Sequence, residues 1–344
     1  MVATRDVLFV GSLPVPDTET CFREVGAVLG DVLKRVPDGE TGRRAKFIDW
    51  QLPLLGAPEQ FEVREIGSQA EWGPNGELPP RAVQLKPGAT GRPDFGPTGY
   101  ADAAIESYRI FRDARAAGSF PASTRFQVGL PTPLGVLTAF MEPDAQAVAA
   151  PAYADSFATD VSRICAEIPA EDLTLQWDVP LELAVWEGCK DTYLDDDRTA
   201  CLDQLAVLIE LVPEGAEVGL HLCYGDVSHQ HWKEPDLAVM AEFTNAVTAR
   251  LNRPLDYVHM PIPRDWKDSS DYAALEQFDL PERTQMFLGL LHMTDGVEGA
   301  KARIAAAREH RRSFGVSTSC GLGRRDPAIL GGLLSLHAEA ARIP

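Results

Sequence analysis

The run HLCYGD (221 to 226) sets a histidine and a cysteine two residues apart in an otherwise apolar stretch. Side chains alternate on a strand, so His221 and Cys223 would point to one face and Leu220 and Leu222 to the other, with the first pair's Cα atoms roughly 7 Å apart. Imidazole nitrogen and thiolate sulfur both bind zinc, at about 2.0 and 2.3 Å. An isolated H-x-C reads more plainly as a buried cysteine beside a satisfied histidine. What shifts the reading is Cys320, which ends FGVSTSC (314 to 320) and is followed by GLGRR. If both runs are strands of one barrel, their ends meet at its mouth, and the three side chains suit one zinc ion. Arg324 and Arg325 would then bind a carboxylate or phosphate of the substrate, or pair with nearby acids.

Other polar residues have plainer readings. His229 and His231 form an H-x-H that suits a solvated loop better than a second metal handle. Trp186, Trp232 and Trp266 either line an aromatic pocket or cover the rim of the core. Asp195, Asp196 and Asp197 suit a helix N-terminus. No G-x-x-x-x-G-K-[ST] or G-x-G-x-x-G phosphate loop occurs.

The elements that must position these residues alternate in type. Short apolar, β-branched runs recur at 6 to 11, 34 to 40, 126 to 130, 173 to 179, 217 to 223, 255 to 260, 286 to 291 and 314 to 320, each bounded by polar, Gly or Pro residues. Helical spacing lies between them, as in Phe22, Val25, Leu29, Val32 and Leu33, in Tyr153, Phe157, Val161, Ile164 and Ile168, and in Val239, Phe243, Val247 and Leu251. Eight strands alternating with helices, with no change of composition between halves, predict an α/β chain folded as a single (β/α)8 TIM barrel spanning 1 to 344. Residues 53 to 100 break the rhythm, with GPNGELPP, KPGATGRPDFGPTG and two short strand candidates, FEVREI and AVQLK. An insertion of that length after the second strand should lie on the catalytic rim, covering the mouth or contacting a second subunit of a homodimer.

Composition narrows the partners. The 344 residues include 32 Lys and Arg against 51 Asp and Glu, a formal charge of −19, which repels nucleic acid and anionic membranes. No apolar run is long enough to span a bilayer, and the start is too short in its apolar core for a signal peptide, so a cytoplasmic enzyme of small molecules is expected. The 6 cysteines are scattered, a pattern of buried thiols and a metal site more than of disulfides.

HLCYG followed by a late CGLGRR resembles the zinc-binding pattern of the cobalamin-independent methionine synthase family, within the uroporphyrinogen decarboxylase and methionine synthase-like superfamily. Other motifs agree in order: FVGSLP (9 to 14) is similar to that family's I-G-S-F-P, PDGE (37 to 40) to its H-G-E, LQWDVP (175 to 180) to its Q-x-D-E-P, and LLHMTDG (290 to 296) to its histidine-bearing seventh strand. The match runs over almost the whole chain, in short motifs. It implies zinc on His221, Cys223 and Cys320. It also implies an amino-acid thiol acceptor held by Gly11, Ser12, Glu40 and Asp178, and proton delivery by His292. Zinc lowers the pKa of a bound thiol, which supplies the thiolate that alkyl transfer needs. Carboxylates such as Glu40 and Asp178 could hold an ammonium group.

The chain also departs from that pattern. The family's fourth zinc ligand is a glutamate on strand six, and YVHMPIPRD has no carboxylate there. His259 occupies the nearest position and is expected to complete a neutral Cys2His2 sphere, with a role as acid or base as the alternative. Val179 replaces the glutamate of D-E-P. The family's full-length synthases hold a folate donor with a second half that has no counterpart here, so the methyl or alkyl donor is open. The function expected is a zinc-dependent methyl or alkyl transferase acting on a thiol. A zinc-dependent lyase or decarboxylase, or a barrel that binds without turnover, is the alternative.

Overall fold

The computed structural model describes residues 5 to 64, 81 to 225 and 231 to 343. Its centre is a seven-stranded parallel sheet in the order β1 (Arg35–Pro37), β4 (Arg125–Pro131), β5 (Leu173–Asp178), β6 (Glu217–His221), β7 (Tyr257–Pro261), β8 (Gln285–Leu291) and β9 (Gly315–Thr318). Two further strands, β2 (Phe61–Val63) and β3 (Val83–Leu85), pair antiparallel within the expected insertion.

Around the sheet lie α1 (Thr18–Leu29), α2 (Leu52–Leu55), α3 (Tyr100–Ala116), α4 (Pro133–Phe140), α5 (Pro143–Glu167), α6 (Pro180–Trp186), α7 (Asp197–Glu210), α8 (Leu237–Thr248), α9 (Gly296–Arg308) and α10 (Leu330–Ala340). Helix starts follow local chemistry. Asp17 caps α1 by accepting from the Thr20 amide, Asp236 caps α8, and Asp196 caps α7 through the Thr199 amide, the role the acidic run 195 to 197 suggested. The buried stripe of α1 is Cys21, Phe22, Val25 and Leu29, with Phe22 meeting Phe111, Phe120 and Phe126 of β4 edge-on.

The expected ring of eight strands is observed as a TIM-barrel-like sheet of seven. The segment 6 to 13 touches both ends of that sheet without forming a regular strand, through single parallel bridges from Val7 to Val316 and from Ser12 to Gly39. Side chains supply the reason. The carbonyls of Phe9 and Val10 accept from the Gln127 amide at 2.9 Å each, and Val10 accepts again from Gln176 at 2.6 Å, so these acceptors are spent on the interior instead of a ladder.

Alternation along β5 sorts its residues. Leu173, Leu175 and Trp177 are fully buried, and Trp177 lies 6.3 Å from the Phe157 ring of α5, while Gln176 and Asp178 make their contacts on the inner face of the barrel-like sheet. Register then aligns three strand ends: Asp178 pairs with His221, and His221 with His259. On the far side, pairing between β8 and β9 slips between Leu288 and Leu291, and Ser319 crowds Gly289, where a Cβ would lie 2.7 Å from the Ser319 Cα. That irregularity precedes Cys320.

Of the insertion, described parts pack against α5 and the segment just before it. Phe61 stacks on Phe95, Phe95 meets Tyr153 edge-on, Thr98 donates to Asp160 at 2.6 Å, and Val83 bridges Met141. Both short strand candidates are present there. None of the described residues of 53 to 100 lines the cavity below, and 65 to 80 lie outside the described residues.

Candidate functional site

At the C-terminal ends of β6 and β9, three donor atoms converge. The sulfurs of Cys223 and Cys320 are 3.5 Å apart, and Nε2 of His221 is 3.8 Å from the Cys320 sulfur. The ligand atoms of His221, Cys223 and Cys320 all lie within 4.8 Å of one another, the one such group of three among the described residues. Tetrahedral zinc with bonds of about 2.3 Å to sulfur and 2.0 Å to nitrogen puts two sulfurs about 3.8 Å apart and nitrogen and sulfur about 3.5 Å apart. The donors therefore fit zinc in both type and spacing. The Gly225 amide donates to the Cys223 sulfur at 3.3 Å.

His259 stands behind His221 and not beside the sulfurs. Its Nδ1 is 2.7 Å from Nδ1 of His221, and its Nε2 is 3.0 Å from the carbonyl of Thr318. Both of its ring nitrogens are engaged, so the geometry differs from the expected fourth ligand. Burial lowers the His259 pKa to about 3 and that of His221 well below its usual range, which leaves both imidazoles neutral.

Two carboxyl groups face the same space. The PDGE turn carries Gly39 at φ 80° and Glu40 at φ 47°, a left-handed backbone that a glutamate rarely adopts. Asp38 holds it there: its carboxylate accepts from the Glu40 amide at 2.9 Å, from Ser107 at 2.6 Å and from the Arg44 guanidinium. Burial raises the Glu40 carboxyl to about 7, with Arg44 opposing the rise and Asp38 adding to it. Asp178 accepts from Gln176 at 2.8 Å, and burial followed by the Glu40 charge raises it well above the usual carboxylate range. The two groups flank Gly129: a Cβ there would lie 2.9 Å from a Glu40 oxygen and 3.8 Å from one of Asp178.

These side chains line a cavity of about 140 Å³. Gly11, Ser12, Glu40 and Asp178 border it together with His221, Cys223 and Cys320, and its walls include Phe47, Trp232, Lys190 and Arg324. Ser12 is held by the Gly323 amide, which donates to its hydroxyl at 3.1 Å and so ties the opening motif to the CGLGRR loop. His292 is not part of this lining. Its Nε2 donates to the Ile262 carbonyl at 2.9 Å, and burial, with Arg303 nearby, lowers its pKa to about 4, which disfavours the proton delivery expected of it. Trp186 packs edge-on against Phe243, and Trp266 against Tyr272, away from the cavity lining. His231 meets the Gly225 carbonyl at 2.7 Å, and His229 lies outside the described residues.

Several residues that build the site were given no role of their own from sequence. Gln176 donates to Asp178, and its own oxygen accepts from Tyr257 at 2.9 Å and from Gln127 at 3.2 Å. Its signal was its place two residues before Asp178 on an otherwise apolar strand. Asp38 and Arg44 offered none, since their pairing depends on the turn. Lys190 lines the cavity wall, has no hydrogen-bonded or ion-paired partner for its ammonium among the described residues, and is lowered to about 8 by burial.

Solved structures share this arrangement of elements. A protein from Listeria monocytogenes assigned as a vitamin-B12-independent methionine synthase is 15% identical, with 99% of this chain and 98% of that one covered at a TM-score of 0.56. A B12-independent methionine synthase from Shewanella sp. W3-18-1, in complex with selenomethionine, is 14% identical, with 98% and 97% covered at a TM-score of 0.57. The likeness is one of fold. No protein-family model and no curated protein matches the chain. No described helix is long and apolar enough to cross a membrane.

Proposed function

We propose that the chain is a methionine-synthase-like enzyme that transfers a methyl or alkyl group to the sulfur of an amino-acid thiol, with zinc as its cofactor. The observation that carries the reading is the convergence of His221, Cys223 and Cys320 on the cavity that Glu40 and Asp178 also face. Three protein donors are the number a catalytic zinc site keeps, with a position left for substrate. Zinc bound there would acidify the acceptor thiol, so that thiolate is present at neutral pH.

The chain's own residues do the rest. A carboxyl pair raised by burial, with the Glu40 charge raising Asp178 further, is completed by a cation, and the ammonium of an amino-acid thiol supplies one. Ser12, anchored to the CGLGRR loop, adds a hydroxyl on the same wall. Glu40, poised near neutrality, is better placed than His292 to give or take a proton within the cavity. Lys190 and Arg324, beside Phe47 and Trp232, suit a donor with an anionic group on an apolar body.

The test joins metal analysis of the purified protein with a thiol-alkylation assay over methyl donors and amino-acid thiols. Stoichiometric zinc and metal-dependent consumption of one thiol are expected. Full turnover of any substrate by a metal-free preparation would overturn the reading.

A further inference from the structure

We propose that His259 is a positioning residue that fixes the tautomer of His221, so that Nε2 of His221 is the nitrogen free to bind metal. The inference rests on reading His221, Cys223 and Cys320 as a metal site, and it concerns a residue that lies outside that triad.

Donor and acceptor rules leave one arrangement. The Thr318 carbonyl can only accept, so the nitrogen 3.0 Å from it, Nε2 of His259, carries hydrogen. His259 is fully buried, and among the described residues its ring hydrogen-bonds only to Thr318 and His221, with no carboxylate. An imidazolium stranded there would be an unpaired buried charge, so the ring is neutral and its Nδ1 is a bare lone pair. The contact of 2.7 Å between the two Nδ1 atoms then requires His221 to donate. With its hydrogen on Nδ1, a neutral His221 presents a lone pair at Nε2, the atom 3.8 Å from the Cys320 sulfur. A ligating histidine is commonly oriented by a partner on its other nitrogen, usually a carboxylate, carbonyl or water. Here a second histidine takes that part.

The relay also ties the two ligand-bearing segments together. His221 and His259 are register partners on adjacent strands, whereas β7 and β9 are separated by β8, so the bond from His259 to Thr318 crosses the barrel interior. Thr318 in turn donates its hydroxyl to the Cys320 carbonyl at 2.9 Å. One imidazole therefore sets the orientation of the nitrogen donor and bonds to the strand that carries a sulfur donor.

Two variants and two readouts test this. His259→Gln keeps an acceptor and a donor on one planar group, whereas His259→Leu removes both. Titration with cobalt(II) chloride, followed by the sulfur-to-cobalt charge-transfer and ligand-field bands, should show affinity about 10 to 100-fold weaker in the Leu variant and largely restored in the Gln variant. Long-range 1H–15N correlation on metal-free, histidine-labelled wild type should find His221 with hydrogen on Nδ1. A His221 with hydrogen on Nε2, or wild-type cobalt affinity in a folded Leu variant, would overturn the proposal. If wild type takes up no cobalt, the metal reading fails, while the tautomer spectrum still decides whether the relay exists. If the Leu variant does not fold, the Gln variant and that spectrum decide it.

Discussion

Gly11 leaves the space that the Glu40 carboxyl occupies: a Cβ on Gly11 would stand 2.3 Å from Oε1 of Glu40. The opening motif and the PDGE turn are thus matched by shape, and the carboxylate reaches the cavity because residue 11 has no side chain. Gly11→Ala should push Glu40 aside at a cost of about 1 to 3 kcal/mol in stability. Binding of amino-acid thiols should fall at least as far as in Glu40→Gln, measured by calorimetry on both variants. Unchanged binding in Gly11→Ala would separate Glu40 from the acceptor site.

Cys223→Ser and Cys320→Ser should each abolish stoichiometric zinc while the fold survives. Both residues lie past the ends of their strands, and Cys320 is only partly buried, so neither anchors the core. Metal content by mass spectrometry and far-UV circular dichroism check the two halves of this expectation.

Glu40 sets a pH dependence. Its carboxyl titrates at about 7 in the ligand-free fold against an ordinary 4.5, so the folded state holds the proton more tightly than the unfolded chain. Its contribution to stability is present in full below pH 4.5 and is lost as the pH rises through about 7. Binding of an ammonium-bearing ligand runs the other way and should strengthen as Glu40 ionises across that window. Calorimetry from pH 5.5 to 8.5 should show the rise in wild type and its loss in Glu40→Gln. An identical profile in the variant would remove Glu40 as the group responsible.

Arg44 supports the turn beneath that carboxylate. It pairs with Asp38, a group buried to 4% exposure whose pKa is lowered because Arg44, Ser107 and the Glu40 amide outweigh its burial. Arg44→Met would leave Asp38 buried without its cation, at a cost of roughly 3 to 5 kcal/mol. Since a lowered carboxylate stabilises the fold above its unfolded pKa and loses that contribution as pH falls, the variant should also show a weaker acid dependence. Urea unfolding at pH 7 and pH 4 reads both effects.

Strand and helix alternation, the cap within the acidic run at Asp196, the two short strands within 53 to 100, and the grouping of His221, Cys223 and Cys320 were all legible in the sequence. Each rests on a local rule: periodicity, a cap one residue before a helix, or donors placed at strand ends. What tertiary structure alone decided depends on residues far apart in the chain. The segment 6 to 11 reads as a strand, yet the carbonyls of Phe9 and Val10 are taken by Gln127 and Gln176, more than a hundred residues away. His259 has the right residue type and strand position for a ligand, but register sets it against His221 and across from Thr318, which occupies both of its nitrogens. His292 ends the right strand and finds the Ile262 carbonyl. A sequence specifies which donors a strand end carries; which way each one turns is settled by whichever partner packing brings within about 3 Å.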